Sequence, residues 1–309
     1  MILVSDGLDD EGLALLRQGG EVRFKPKITA EDLRAEIGAC DALVVRSRTK
    51  VTAAVIQAGT RLKVIGRAGV GVDNIDLTAA AAAGIPVVNS PLAATTAVAE
   101  MTLGLMLALA RQLPALDASM KMGKWEKSAF MGSELNGKTL GILGMGRIGS
   151  QLARYAAAFG MQILAYDPHR APQAVRLLGA QIAGFDEILA SSDYISLHLP
   201  LTDETRGLLR REQFAKMKPG VRLVDTARGG IVDEAALCEA LDSGQVAGAA
   251  LDVFSVEPVP PGSIATHPRV IATPHIAAQT EEAQRRAGIA IAEEVLAALR
   301  GQPLRWRVS

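Results

Sequence analysis

Cysteine is nearly missing from this 309-residue chain. Cys40 and Cys238 are too few and too isolated for a disulfide framework or a zinc site, and both sit in apolar, helix-like surroundings that suit a small buried side chain. A reducing cytoplasm is the expected setting. Charge of one sign is missing as well, because lysine plus arginine and aspartate plus glutamate stand at 33 each. Such a balance gives no net field to gather nucleic acid or an anionic membrane, and a small, locally read substrate fits better. Long hydrophobic runs are absent: the most apolar stretch, "MTLGLMLALA", is about half of what a bilayer requires and follows Glu100. The start, "MILVSDG", lacks the basic flank, apolar core and cleavage site of a signal peptide, so a soluble protein is expected. Histidine is scarce too, at four residues. One of them, His275 in "IATPHIAAQ", directly follows an apolar run and a proline.

What is present is alternation. Short β-branched runs give way to alanine-rich helical stretches along the whole chain, the pattern of βα units laid into parallel sheets with helices on both faces. The fold class is therefore α/β, and the length predicts two domains. Strands are expected at "MILVS", "EVRFK", "ALVVRS", "LKVIGRA" and "IPVVNS". The stretch "AATTAVAEMTLGLMLALAR", from Ala93 to Arg111, reads as a crossing helix that carries the chain into a second domain. A second strand series follows at 140–144, 162–166, 194–198, 221–225, 248–252 and 270–273, which suits a doubly wound dinucleotide fold. The helix from Thr280 to Leu299 has no strand of its own and must lean on the first domain. These features divide the chain into a discontinuous substrate-binding domain, 1–92 with 282–309, and a Rossmann-like domain, 93–281. Within the second, "DASMKMGKWEKSAFMGSELNGK" shows no clear period, and its Trp125 and Phe130 call for cover from a partner subunit or from a packed loop.

The stretch "TLGILGMGRIGSQLARYAAAFG" sets Gly144, Gly146 and Gly149 at G-x-G-x-x-G spacing between a strand and a helix. Gly144 permits the tight turn, Gly146 lets backbone amides approach a pyrophosphate at the helix N-terminus, and Gly149 lets helix and strand pack closely. Asp167 ends the next strand in "ILAYDP", where a carboxylate accepts hydrogen bonds from the ribose hydroxyls and repels a 2′-phosphate. Arg170 pulls mildly the other way, but Asp167 holds the nearer position, so NAD is expected over NADP.

Ligands of open α/β sheets bind beyond the carboxyl ends of the strands. Three charged residues occupy such ends in succession: Arg228 after "RLVDTA", Glu257 after "AALDVFSV", and His275 after "RVIATP". An arginine can fork onto a substrate carboxylate. A carboxylate beside the imidazole favours its protonated form and orients the ring. Such a histidine exchanges a proton with a carbonyl or hydroxyl oxygen while hydride moves at carbon.

With these residues in hand, "GRAGVGVDNID", "MKMGKWEKSAFMGSELNGKTLGILGMGRIG", "TARGGIVDEAAL", "GAALDVFSVEP" and "TPHIAAQTEEAQ" resemble the D-2-hydroxyacid dehydrogenase family, from about Ala42 to Arg286. The central stretch is most similar to the family's phosphoglycerate-oxidising branch. The resemblance implies Arg228 on the substrate carboxylate, Glu257 paired to His275, and His275 as acid/base. It implies cofactor contacts at Arg147, Ile148, Asp167, Thr226, Ala227, Asp252 and from His275 to Ala278, Ala277 included. In the first domain it implies a backbone-amide site for the substrate carboxylate at Ala68, Gly69 and Val70, with Arg46 and Arg67 facing a phosphate.

The implied reaction is NAD-dependent oxidation of 3-phosphoglycerate to 3-phosphohydroxypyruvate at the start of serine synthesis. The alternatives are a glyoxylate or hydroxypyruvate reductase, or a non-catalytic, NAD-sensing co-repressor-like scaffold. The implied partners are a phosphorylated 2-hydroxy acid and further copies in a homodimer or homotetramer, with no nucleic acid, membrane or metal. Leu92, Ala93 and Ala94 stand where phosphoglycerate enzymes are polar and glycine-rich, Ala277 and Ala278 where glycines are frequent, and Leu199 where a threonine is common. Many relatives continue into a regulatory ACT domain, whereas this sequence ends at Ser309, so no separate serine-binding domain is expected. The two domains are expected to close over bound substrate.

Overall fold

The computed structural model describes residues 1–170, 173, 175 and 179–309. Along the chain run β1 (Ile2–Val4), α1 (Asp10–Gln18), β2 (Val22–Phe24), α2 (Ala30–Glu36), β3 (Ala42–Val45), α3 (Ala53–Ala58), β4 (Val64–Arg67), α4 (Leu77–Ala82) and β5 (Val87–Asn89). After α5 (Thr95–Arg111) and α6 (Leu113–Lys121) come β6 (Thr139–Leu143), α7 (Arg147–Ala158), β7 (Gln162–Tyr166), β8 (Gln181–Ile182), α8 (Phe185–Ser191) and β9 (Tyr194–Leu197). The remainder is α9 (Arg211–Lys216), β10 (Val221–Asp225), α10 (Glu234–Asp242), β11 (Val246–Leu251), β12 (Val270–Ala272) and α11 (Glu281–Leu299). These elements gather into two compact units, Met1–Thr95 with Ala278–Ser309, and Thr96–Ala277.

The first unit is a parallel sheet in the order β2-β1-β3-β4-β5. Every residue of β1 and β3 is buried, as expected of parallel strands covered on both faces, and this is why they read as continuous apolar runs rather than alternating ones. One face packs on Leu33, Ile37, Val55, Ile56 and Ala80. The other receives Leu13 and Leu16 of α1 and Ile291 and Val295 of α11. Thr280 caps α11 by accepting the Ala283 N–H at 3.2 Å, and Glu281 and Glu282 complement the dipole of its first turn. The two helices approach so closely at Gly12 and Gly288 that a Cβ on Gly12 would lie 2.6 Å from the Gly288 backbone. Beyond α11 the N–H groups of Arg305 and Trp306 donate to the buried Glu294 of that helix, and Arg307 forms an antiparallel bridge to Val88. The tail thus pairs with the edge at β5, a feature with no visible pattern in so short a segment.

The second unit is a parallel sheet in the order β12-β11-β10-β9-β6-β7-β8. Leu105 and Met106 of α5 and Leu152, Ala153 and Ala156 of α7 cover one face. Ile188, Leu189, Phe214, Leu237 and Leu241 cover the other. The strand order reverses between β6 and β9, the position where open α/β sheets place their ligands. Sequence reading gives six strands here, and the structure adds β8, whose two exposed residues, Gln181 and Ile182, are too few to show a pattern. Among the described residues no helix is long and apolar enough to cross a membrane.

Candidate active site

Each unit carries its own set of polar residues at the carboxyl ends of its strands. In the second unit the glycine-rich turn joins β6 to α7. Gly144 adopts φ +96°, and a Cβ there would fall 2.6 Å from the His198 carbonyl oxygen. A Cβ on Gly149 would lie 2.1 Å from the Gly144 carbonyl, so only glycine allows the helix this close to the turn. Gly146 is different, since its Cβ position meets nothing within 4 Å. It is also the N-cap of a 12-residue helix and carries no capping side chain. Open space over an uncapped helix N-terminus is what a pyrophosphate needs, so these residues fit a dinucleotide. Arg147 and Ile148 begin that helix.

Asp167, just past β7, accepts the N–H of Met145 at 2.9 Å and of His169 at 3.0 Å. It therefore ties the end of β7 to the glycine turn, and each carboxylate oxygen retains a lone pair for a ribose hydroxyl. Arg170 donates to the Met145 carbonyl, so its guanidinium is engaged by the same turn.

The three charged residues stand beyond three neighbouring strands, β10, β11 and β12. The His275 Nδ1 lies 2.8 Å from the Glu257 Oε2, and the Glu257 Oε1 accepts the Phe254 N–H at 3.0 Å. With a carboxylate at Nδ1 that nitrogen is the donor, which leaves Nε2 as the ring nitrogen for a further partner. The pair stays open to solvent, the His275 side chain being 48% exposed and that of Glu257 38%. His275 has φ +52°, an uncommon conformation for a residue with a Cβ and one that clusters at functional sites. Arg228 is half-buried, and its Nη1 donates to the Ala227 carbonyl at 2.7 Å. Thr226 exchanges a 2.9 Å hydrogen bond with Thr102 of α5, and Ala227 is buried beside it.

The His275 turn rests on Asp252. This fully buried carboxylate accepts from the Thr273 hydroxyl at 2.6 Å, the Ile276 N–H at 2.9 Å and the Ala277 N–H at 2.8 Å. Sequence reading names Asp252 and Ala277 as cofactor contacts by resemblance; the structure gives both a second part, in holding the loop. Two residues are missed altogether. His198, beyond β9, is half-buried, shares a 2.9 Å hydrogen bond with Ser196, and has a buried Nδ1 with no partner among the described residues. Burial pushes its imidazole down to about 3, so it is neutral. Asp225, the last residue of β10, is the other. Neither is separated by periodicity from the apolar strand before it.

In the first unit Asp6 organises the loop after β3: its carboxylate accepts the Arg46 N–H at 2.6 Å and the Thr49 hydroxyl at 2.7 Å. The Arg46 guanidinium reaches the Gly7 carbonyl at 3.4 Å and the Gln279 Oε1 at 3.1 Å, and burial lowers its pKa. It lines a depression with Gly7, Asp9, Gln279 and Arg285. Arg67 folds over Gly69, where a Cβ would overlap the guanidinium, and Gly69 has φ +145°. The Ala68 N–H donates to the Val45 carbonyl at 2.9 Å and the Gly69 N–H to the Ser90 hydroxyl at 2.6 Å. Two of the three amides expected to meet a carboxylate are thus engaged within the protein, and Val70 holds the third. Ala278 accepts from the Gln284 side chain at the start of α11.

Two doubly wound sheets, a dinucleotide turn and a histidine–glutamate pair define an NAD-linked dehydrogenase architecture, and the chain belongs to the D-isomer specific 2-hydroxyacid dehydrogenases, whose NAD binding domain matches residues 103–277. It is 49% identical over 310 residues to the D-3-phosphoglycerate dehydrogenase of Archaeoglobus fulgidus, a match that covers 100% of this chain and 59% of that protein. The chain therefore spans under two thirds of that relative. Among solved structures, a glyoxylate reductase from Paecilomyes thermophila shares 33% identity at a TM-score of 0.91, covering 99% of this chain and 97% of that one. A D-lactate dehydrogenase from Aquifex aeolicus, complexed with NAD and lactic acid, shares 31% identity at a TM-score of 0.84, covering 97% and 95%.

Proposed function

We propose that the chain catalyses NAD-dependent oxidation of 3-phosphoglycerate to 3-phosphohydroxypyruvate, the entry step to serine. The observation that carries the reading is the 2.8 Å contact between Glu257 and His275 at the carboxyl edge of the NAD-binding sheet. The 49% identity to a phosphoglycerate dehydrogenase favours this substrate within the family. NAD held at the turn of Gly144, Gly146 and Gly149 would supply the hydride acceptor for the hydroxyl-bearing carbon. Glu257 holds the imidazole through Nδ1, and Nε2 takes the hydroxyl proton. Arg228 forks onto the substrate carboxylate beside that carbon. Asp167 selects NAD by bonding the ribose and repelling a 2′-phosphate. In the first unit we assign Arg46 and Arg67 to recognition of a phosphate anion and the Val70 amide to a carboxylate.

A panel of phosphorylated and unphosphorylated 2-hydroxy and 2-oxo acids, followed by nicotinamide absorbance, tests this. Highest kcat/KM with 3-phosphoglycerate is the expected result. Preference for glyoxylate would move the assignment to a reductase, and no turnover at all would favour an NAD-sensing scaffold. We further infer that a second copy of the chain covers the segment around α6, where Trp125 is 80% and Met131 87% exposed. Light scattering should give at least twice the monomer mass, and charged replacements at Trp125 and Met131 should lower it.

A further inference from the structure

Asp225 closes β10 with a carboxyl group that is 2% exposed. Its Oδ1 accepts the Ala227 N–H at 2.8 Å, and the Arg228 N–H bonds the same carboxyl, so the turn leading to Arg228 winds around it. One strand away Asp252 does the same for the turn carrying His275. The two clasps are joined by the main chain, because the Asp252 N–H donates to the Asp225 carbonyl at 2.9 Å. An asparagine or serine would make such a turn without a buried charge. The acid brings something more, since its charge is felt by the guanidinium that the proposed function gives to the substrate carboxylate.

The geometry points to a positioning role: we propose that Asp225 aims Arg228 through its turn, and takes up a proton when an anionic substrate docks on that arginine. The proposal rests on the reading of Arg228 above. Three anions would otherwise crowd one cation, namely the substrate carboxylate, Asp225 and Asp252, and Asp225, which is buried with two backbone N–H donors where Asp252 has two and the Thr273 hydroxyl, is the one to be neutralised. The groups around Asp225 agree. Burial pushes its carboxyl up to about 7 and the Asp252 charge adds to the rise, while the Ala227 and Arg228 N–H groups and the Arg228 guanidinium hold it down. Beyond β9, on the other side of β10, the half-buried His198 is neutral. From α5, Thr102 brings a hydroxyl to Thr226. A group titrating near neutrality is poised to respond to one added charge.

The test is calorimetric titration of the NADH-saturated protein at pH 7.5 with the best 2-hydroxy acid of the panel, a pair that cannot react. Running it in HEPES and in Tris separates proton exchange from binding heat. Wild type should take up a sizeable fraction of a proton per acid bound. Asp225→Asn keeps the acceptor oxygen and should bind with that uptake abolished, whereas Asp225→Ala loses the turn and should bind about tenfold more weakly than Asp225→Asn. Unchanged uptake in Asp225→Asn, or equal affinity of the two variants, would overturn the proposal. Should Asp225→Ala fail to fold, the uptake measured on Asp225→Asn decides alone. Undiminished binding by Arg228→Ala would instead sink the reading of Arg228, so the two failures are told apart.

Discussion

Glu257 engages His275 at Nδ1, and this one contact leaves Nε2 as the ring atom that would meet the substrate hydroxyl in the proposed reaction. Arg228, on the next loop but one, answers a different demand. A planar guanidinium bonds a carboxylate with two parallel N–H groups, which a lysine cannot do. Arg228→Lys should therefore lower kcat/KM by about 10- to 100-fold, the equivalent of one or two charge-assisted hydrogen bonds, mainly through KM. Steady-state kinetics with saturating NAD checks this, and an unchanged KM would count against a carboxylate at Arg228. Asp167 supports a second prediction at this scale. Replacing it with asparagine keeps an acceptor for the glycine turn but removes the charge facing a 2′-phosphate. The ratio of kcat/KM values for NAD and NADP should shift toward NADP; an unaltered ratio would refute the selectivity role.

Packing between elements is governed by glycine at a few sites. In the first unit α1 meets α11 at Gly12 and Gly288, and a methyl on Gly12 must displace backbone rather than a flexible side chain. Gly12→Ala should cost about 2 kcal/mol, as overpacked contacts do, and lower Tm by several degrees in a thermal melt. An unshifted Tm would mean that the helices part without penalty. Much of this architecture was legible beforehand. β1, β3, β6 and β9 are apolar runs buried on both faces, and the motif around Gly144, Gly146 and Gly149 names its own turn. β8 was not legible, because two exposed residues at a sheet edge leave no pattern. Nor were the clasps at Asp225 and Asp252. A carboxylate that ends a strand looks like any loop acid until the backbone N–H groups of the following turn are seen to point at it. The acid/base part proposed for His275 rests on its joint pattern with Glu257 and Arg228, since one histidine after an apolar run has a structural reading as well.

For the molecule as a whole, two titratable groups, the half-buried His198 and the buried Asp225, act on stability in opposite directions. His198 has its pKa lowered from 6.5 to about 3, so the folded state binds fewer protons than the unfolded one in that window, and its contribution is lost as pH falls from 6.5 toward 3. Asp225 has its pKa raised from 3.8 to about 7, so its contribution is present at low pH and is lost as pH rises from 3.8 toward 7. Each is worth on the order of a few kcal/mol at its favourable end. Between about pH 4 and 6.5 the two slopes offset each other. Urea unfolding across this range should show Asp225→Asn gaining stability over wild type as pH rises, and His198→Asn gaining over wild type as pH falls. Parallel curves for wild type and both variants would show that neither group is titrating as its burial requires.

The central claim is that His275 moves the proton while other residues hold NAD. It is tested most directly by comparing wild type and His275→Ala for NADH formation from 3-phosphoglycerate, with NAD affinity of both proteins measured by fluorescence titration. The account predicts a fall in kcat of about 10² or more, within the range for loss of a general acid/base, and an NAD Kd that stays within about twofold. Near-normal turnover by His275→Ala would contradict it.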